Sequence, residues 1–111
     1  MSKGNIIELS EFDVTQKIIE SLSNVCTRSV LFSIKNESKD VTQISTELEI
    51  SLSTVYKTLS TLEDLALAEI EQYVISDEGK KIKLYRSRIG KVEIILENLE
   101  PVLSLYPNKT G

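Results

Sequence analysis

The sequence predicts one small α+β domain that is mainly α-helical, and three observations support this fold class. The chain has 111 residues, enough for one compact core but too few for two ordinary domains. Its 41% hydrophobic and 27% charged residues are typical of a folded protein. Apolar residues recur at helical spacing over most of the chain, whereas one segment alternates as a strand does. We therefore treat residues 1–111 as one domain.

The first predicted helix spans residues 14–26. Its apolar residues recur at intervals of three or four, which is the spacing of one helix face: Val14, Ile18, Leu22 and Val25. Cys26 ends this helix and is predicted to be a small buried apolar residue. Thr27 is positioned to cap a second helix, which is predicted to end in the polar stretch 36–39.

Two further helices are predicted with a tight turn between them. Asp40 and Gln43 form a capping-box pattern at the start of a short helix, and Ser51 is positioned to cap the next helix, residues 52–65. The longer helix has an apolar stripe for the core, namely Leu52, Val55, Leu59 and Leu62. A second stripe at the same spacing is polar and exposed, namely Ser53, Tyr56, Lys57 and Ser60.

A β-hairpin follows these helices. Residues 76–80 provide the turn, and the next strand alternates, with Ile82 and Leu84 on one side. The opposite side of that strand carries Lys81, Lys83 and Tyr85.

A last helix is predicted over residues 89–106. Its apolar residues recur near heptad spacing, namely Val92, Ile95, Leu96, Leu99, Val102, Leu103 and Tyr106. Pro101 is expected to kink or end this helix.

The composition argues against an enzyme, a metal site or a bound cofactor. The chain has one cysteine and no histidine, which removes the commonest metal ligands and the commonest general base. Its four glycines are too scattered to form a phosphate-binding loop. The acidic pairs Glu63-Asp64 and Asp77-Glu78 are interpreted as solvated surface charge.

The chain is expected to be cytoplasmic and to have no membrane partner. No apolar run approaches the roughly 20 residues of a membrane-spanning helix. The segment Met1 to Leu9 is polar and acidic and lacks the apolar centre of a signal peptide.

Positive charge is concentrated in one short segment of an acidic protein. The net charge is −4, yet the segment 80–91 carries six basic residues and no acidic one: Lys80, Lys81, Lys83, Arg86, Arg88 and Lys91. Because salt screens charges beyond roughly 8 to 10 Å, such a patch can bind phosphate despite acidic surfaces elsewhere. The overall charge therefore does not exclude a nucleic-acid partner.

The segment DVTQISTELEISLSTVYKTLSTLEDLALAEIE, followed by a basic hairpin ending KLYRS, resembles the winged helix-turn-helix core of prokaryotic transcriptional regulators. ArsR-like and TrmB-like families are the most similar, and the resemblance covers residues 27–88. The family pattern has glycine where this chain has Glu49 and Ala66, and a small residue where it has Ser45.

The resemblance implies a sequence-specific regulator that binds double-stranded DNA through helix 52–65 in the major groove. Base edges would be contacted by Ser53, Tyr56 and Lys57. Phosphates would be contacted from helix starts and flanking positions by Thr42, Gln43, Ser51, Thr54 and Thr58. The hairpin, residues 76–86, would lie on the DNA backbone or in the minor groove through Lys80, Lys81 and Lys83.

The apolar stripes of the first and last helices predict a homodimer. The predicted interface consists of Ile18, Leu22, Val92, Ile95, Leu96, Leu99, Val102 and Leu103. Two-fold symmetry would then place two recognition helices roughly 34 Å apart, matching a palindromic site. The alternative is that both helices complete the core of a monomer.

A protein-interaction module without DNA binding is the alternative function. Lys57 is the single charged residue on the candidate groove face, and the acidic pI of 4.9 favours this interpretation. Metal-sensing ArsR-like proteins use cysteine or histidine clusters that this chain lacks. The sequence predicts neither an effector nor an operator.

Overall fold

The computed structural model describes residues 14–109 and contains four helices followed by two antiparallel hairpins, which confirms the helix-rich α+β class. The segment Met1 to Leu9 discussed above lies outside the described residues. In chain order the elements are α1 (14–23), α2 (Val25–Ser33), α3 (Val41–Leu48), α4 (Leu52–Asp64), β1 (Ala68–Ile75), β2 (Lys81–Ser87), β3 (Ile89–Ile95) and β4 (Val102–Pro107).

The boundary between the first two helices lies earlier than predicted. Helix α1 ends at Ser23, and the side chain of Asn24 accepts a hydrogen bond from the backbone N–H of Thr27 at 3.1 Å. Asn24 is therefore the N-cap of α2, and the prediction that Thr27 caps it is wrong. Asn is a better N-cap than Thr. Cys26 consequently lies in the first turn of α2, where it is half-buried rather than buried.

Helices α3 and α4 begin where their capping residues predict. Asp40 accepts from the backbone N–H of Gln43 at 2.8 Å, and Gln43 accepts from the backbone N–H of Asp40 at 2.9 Å, so the capping box is confirmed. Ser51 accepts from the backbone N–H of Thr54 at 3.2 Å, which confirms it as the N-cap of α4. These bonds satisfy N–H groups that a helix start leaves unpaired.

The two positions where the family pattern has glycine adopt left-handed backbone conformations. Glu49 has φ of 55° at the end of α3, and Ala66 has φ of 60° just after α4. Around Ala66 the backbone N–H of Leu67 donates to Leu62 and that of Ala66 donates to Glu63, which is a Schellman motif. A residue with a Cβ atom is strained in this conformation, whereas glycine is not.

Replacing Ala66 with glycine should therefore raise the free energy of unfolding by about 0.5 to 1 kcal/mol, because the relief of strain exceeds the added freedom of the unfolded chain. Chemical denaturation measures this change. Ala68→Gly is a matched control, since Ala68 is buried within β1 and its replacement should destabilise the protein. Equal destabilisation by both substitutions would contradict the prediction.

The first hairpin, β1 with β2, forms as predicted, and backbone hydrogen bonds connect it to the helical part of the chain. Residues 76–80 connect the strands, and the backbone N–H of Ser76 donates to the carbonyl of Lys80. Lys39, just before α3, forms an isolated antiparallel bridge with Tyr85 through two backbone hydrogen bonds of 3.0 and 2.8 Å. This bridge fixes β2 beside the start of α3.

The predicted helix at 89–106 is wrong, because this segment forms the second hairpin, β3 with β4. Its heptad-like spacing coincided with the period-two alternation of a strand, in which Val92 and Ile94 of β3 share one face with Leu103 and Leu105 of β4. The side chain of Asn98 accepts from the backbone N–H of Glu100 at 3.3 Å, and Pro101 lacks an N–H for a helix. Gly90 lies at a register shift, where an added Cβ would approach the carbonyl oxygen of Pro107 to 3.2 Å.

One hydrophobic core joins the helices to both hairpins at their bases. It contains Ile18, Leu22, Val30, Leu31, Ile34, Ile44, Val55, Leu59, Leu62, Leu67, Ala68, Tyr85 and Ile89. Two residues of the predicted dimer interface, Ile18 and Leu22, are 5% exposed and belong to this core, so for helix α1 the structure follows the monomer-core alternative. Val92 and Leu103 of the second hairpin pack against the same core.

Candidate nucleic-acid interface

The turn between α3 and α4 is closed by hydrogen bonds from one small residue. Ser45 donates through its hydroxyl to the carbonyl of Ile50 at 2.6 Å, and its own carbonyl accepts from the backbone N–H of Ile50 at 3.2 Å. These two bonds connect the last part of α3 to the residue before the N-cap of α4.

Helix α4 has a buried face and a hydroxyl-rich exposed face, as its sequence predicts. Val55, Leu59 and Leu62 are at most 1% exposed. On the opposite face Ser53, Lys57 and Ser60 are exposed, and Tyr56 keeps 57% of its surface. Leu52, which was assigned to the apolar stripe, is 46% exposed because it lies in the first turn, beyond the core.

Four of the residues predicted to bind phosphate lie at the starts of α3 and α4, and the fifth, Thr58, lies in the middle of α4. Exposed side chains at these two starts are Thr42, Gln43, Ser51 and Thr54, whereas Thr58 is half-buried. Several of their polar atoms already bond within the chain. The Oε1 atom of Gln43 is part of the capping box, and Ser51 donates to the hydroxyl of Thr54 at 2.8 Å.

Among residues 14–109, some basic residues lie beside carboxylates and others do not. Four are close to carboxylates: Lys39 to Glu47 at 2.6 Å, Arg86 to Glu71 at 3.0 Å, Arg88 to Glu69 at 3.8 Å, and Lys91 to Glu93 at 3.6 Å. Within residues 14–109, no carboxylate oxygen lies within 4.0 Å of the amines of Lys57, Lys80, Lys81 or Lys83.

The six basic residues of segment 80–91 are therefore not equivalent. Arg86 donates to the carbonyl of Lys35 and to Glu71, both at 3.0 Å, and its side chain is only 15% exposed, so its role is to join β2 to β1 and α2. The lysines nearer the turn remain exposed. Lys81 lies over the ring of Tyr73, 4.2 Å from its centroid, and this cation–π contact orients its amine.

An open groove of about 520 Å³ lies between α3, α4 and the first hairpin. It is lined by Asp40, Val41, Thr42, Tyr56, Lys80, Lys81, Ile82, Lys83 and Tyr85. The Lys39–Tyr85 bridge holds the hairpin against α3 and so brings these side chains together. Residues that are about 40 positions apart in the sequence, such as Thr42 and Lys81, thereby share one surface.

Tyr85 is a groove residue that was not among the predicted site residues. Burial, followed by the charge of Glu63, raises the pKa of its phenol. Tyr85 shares a strand face with Lys81 and Lys83, and this alternation is the sequence signal that could have identified it.

The remaining predicted interface residues lie on the second hairpin rather than on a helix. Ile95, Leu96, Leu99 and Val102 lie toward its tip and are between 44 and 96% exposed. The part of the chain that the structure describes has no cluster of three His, Cys, Asp or Glu side chains arranged to hold a metal ion. Over the same residues, no helix combines the length and apolar character needed to cross a membrane.

No protein-family model and no curated protein matches this chain.

Proposed function

We propose that this chain is a sequence-specific DNA-binding transcription regulator of the winged helix-turn-helix kind. Helix α4 would enter the major groove of double-stranded DNA, and the β1–β2 hairpin would act as the wing. One observation carries the proposal. Lys80, Lys81 and Lys83 line the same groove as Tyr56 of the hydroxyl-rich face of α4, and Lys57 is exposed on that face. Among residues 14–109, none of these four amines has a carboxylate oxygen within 4.0 Å.

The dimensions and chemistry of α4 suit the major groove. A helix with its side chains is roughly 10 to 12 Å across, and the major groove of B-DNA is about 12 Å wide. Ser53 and Tyr56 offer hydroxyls that can donate or accept, and Lys57 can donate to guanine O6 and N7. These three side chains are the candidates for reading base edges.

The lysines of the hairpin suit phosphate rather than bases. Amines without a carboxylate partner release counterions from DNA when they bind phosphate, which gives salt-dependent affinity. The acidic pair Asp77 and Glu78 occupies the exposed turn. We therefore expect contact through the lysine side chains of β2 and its preceding residue rather than through the outermost point of the turn.

The helix starts would orient the protein on the duplex. Thr42 lines the groove at the start of α3, and Thr54 lies in the first turn of α4. Side chains and backbone N–H groups at such positions commonly bind phosphate oxygens, which sets register without specifying sequence. In this proposal, Lys57 contributes to recognition of the base sequence, and the hairpin lysines position the protein on the DNA backbone.

The experiment that tests the proposal is fluorescence anisotropy of the protein with a pooled random duplex at several salt concentrations. We expect binding whose affinity falls steeply as salt rises, because phosphate contacts dominate non-specific affinity. An absence of binding even at low salt would overturn the proposal. Recovery of a partner protein from nuclease-treated lysate would then favour the protein-interaction module.

A further inference from the structure

The second hairpin is amphipathic along most of its length. Cross-strand pairing puts four apolar side chains on one face: Val92, Ile94, Leu103 and Leu105. The opposite face carries Lys91, Glu93, Ser104 and Tyr106 toward the base and the apolar pair Ile95 and Val102 toward the tip. The amine of Lys91 lies 4.9 Å from the centroid of the Tyr106 ring. Although Val92 and Leu103 reach the core, Ile94 is 42% exposed and Leu105 is 36% exposed. The apolar face is thus only partly covered by the chain.

The outer edge of β4 pairs with no other strand within residues 14–109. Strand β4 has no charged residue from Val102 to Pro107, whereas β1 and β2 both carry several. Open strand edges are usually protected by charge, because their unpaired N–H and C=O groups otherwise attract another strand. We propose that β4 pairs with β4 of a second copy of this chain, giving a four-stranded antiparallel sheet.

The backbone of β4 supports this pairing. Asn108 donates from its backbone N–H to the carbonyl of Arg88, so its backbone groups face β3. Because these groups alternate along a strand, those of Leu103 and Leu105 face the open edge. A two-fold axis at Ser104 pairs Leu103 with Leu105 of the second copy and joins the apolar faces of both hairpins.

Charge complementarity identifies a second copy as the occupant. The hairpin tip carries Glu97 and Glu100, both exposed and neither within 4.0 Å of a basic group of residues 14–109. The hairpin base borders a groove of about 550 Å³ that is lined by four basic residues and no acidic one, namely Lys35, Arg86, Lys91 and Lys109. Antiparallel pairing about Ser104 sets the tip of each copy beside the base of the other, with Glu100 opposite Asn108 of the second copy and one residue from its Lys109.

Exposed apolar side chains of the hairpin lie on both of its faces and at its tip. Seven of them keep from 36 to 96% of their surface exposed: Ile94, Ile95, Leu96, Leu99, Val102, Leu105 and Tyr106. With the two-fold axis at Ser104, Val102 of one copy is the cross-strand neighbour of Tyr106 of the other, and such apolar cross-strand pairs stabilise a sheet. This inference does not depend on DNA binding.

The test is light scattering during size-exclusion chromatography of the full chain without DNA, over a range of concentrations. We expect a mass of twice 12.5 kDa. Leu105→Lys places like charges near the two-fold axis and should raise the dimer dissociation constant by roughly tenfold or more. Ile75→Lys is the matched control, since Ile75 is 69% exposed on the other hairpin and its replacement should leave the mass unchanged.

A charge exchange tests the arrangement without altering the apolar face. Glu100→Lys and Lys109→Glu should each weaken the dimer by about two- to fivefold, and the double variant should restore it. A monomeric wild-type protein, a dimer unaffected by Leu105→Lys, or a double variant weaker than both single variants would each overturn the proposal. Circular dichroism verifies that every variant is folded. None of these results bears on DNA affinity, so the two proposals fail separately.

Discussion

Replacing Lys80, Lys81 and Lys83 with glutamine should weaken binding to preferred and random DNA alike, by about 10- to 100-fold at low salt. Each lysine that neutralises one phosphate contributes about 0.9 to the slope of log affinity against log salt. The triple variant should therefore flatten that slope by about 2 to 3. The physical reason is that these amines have no carboxylate partner in the described chain and remain available for phosphate.

Lys57→Ala should behave differently, because its amine lies on the face of α4 proposed to contact base edges. A good base contact contributes about 1 to 3 kcal/mol of discrimination, so preferred sites should lose more affinity than random DNA. Lys91→Gln serves as the control for charge alone, since Lys91 already pairs with Glu93. Anisotropy titrations on both duplexes measure all variants. Equal losses on both duplexes for Lys57→Ala and for the triple variant would contradict this division of roles.

Leu59→Ala should lower the free energy of unfolding by about 2 to 5 kcal/mol, the range for removing a fully buried leucine side chain. Leu59 is 1% exposed and packs among the core residues beneath α4. Loss of its side chain leaves a cavity that the surrounding helices fill only in part. For a domain of this size, that change is a large fraction of the total stability.

Ser60→Ala is the matched control for this measurement. Ser60 follows Leu59 directly but is exposed on the opposite face of α4, so its replacement should change stability by no more than about 0.5 kcal/mol. Denaturant unfolding of both variants, monitored by circular dichroism, gives the two free energies. Similar effects of the two substitutions would mean that α4 does not have separate buried and exposed faces.

The helices around the candidate site could be predicted from the sequence because their signals are local. Asp40 with Gln43, and Ser51 with Thr54, form capping bonds within a few residues, so the starts of α3 and α4 follow from short patterns. Asn24 shows the limit of this approach. Both Asn24 and Thr27 are suitable cap residues, and which one caps α2 depends on where α1 ends.

The last predicted helix failed because two periodicities coexist in one segment. In residues 89–106 the apolar residues recur near heptad spacing, and some of them also recur at every second position. Spacing alone therefore does not distinguish a helix from a hairpin in this segment. Contacts distant in sequence decided the outcome. The side chain of Asn108 donates to the carbonyls of Lys35 and Ser87, and Ile89 is buried in the core.

The sequence by itself determined the starts of α3 and α4, the first hairpin, the two faces of α4 and the presence of a basic segment, because each depends on residues close together in the chain. Only the tertiary structure decided which basic residues remain available to bind phosphate. Arg86, Arg88 and Lys91 are placed beside carboxylates, whereas Lys80, Lys81 and Lys83 have no such neighbour among residues 14–109. The partner of a charge depends on strand register and packing, and local sequence does not specify these.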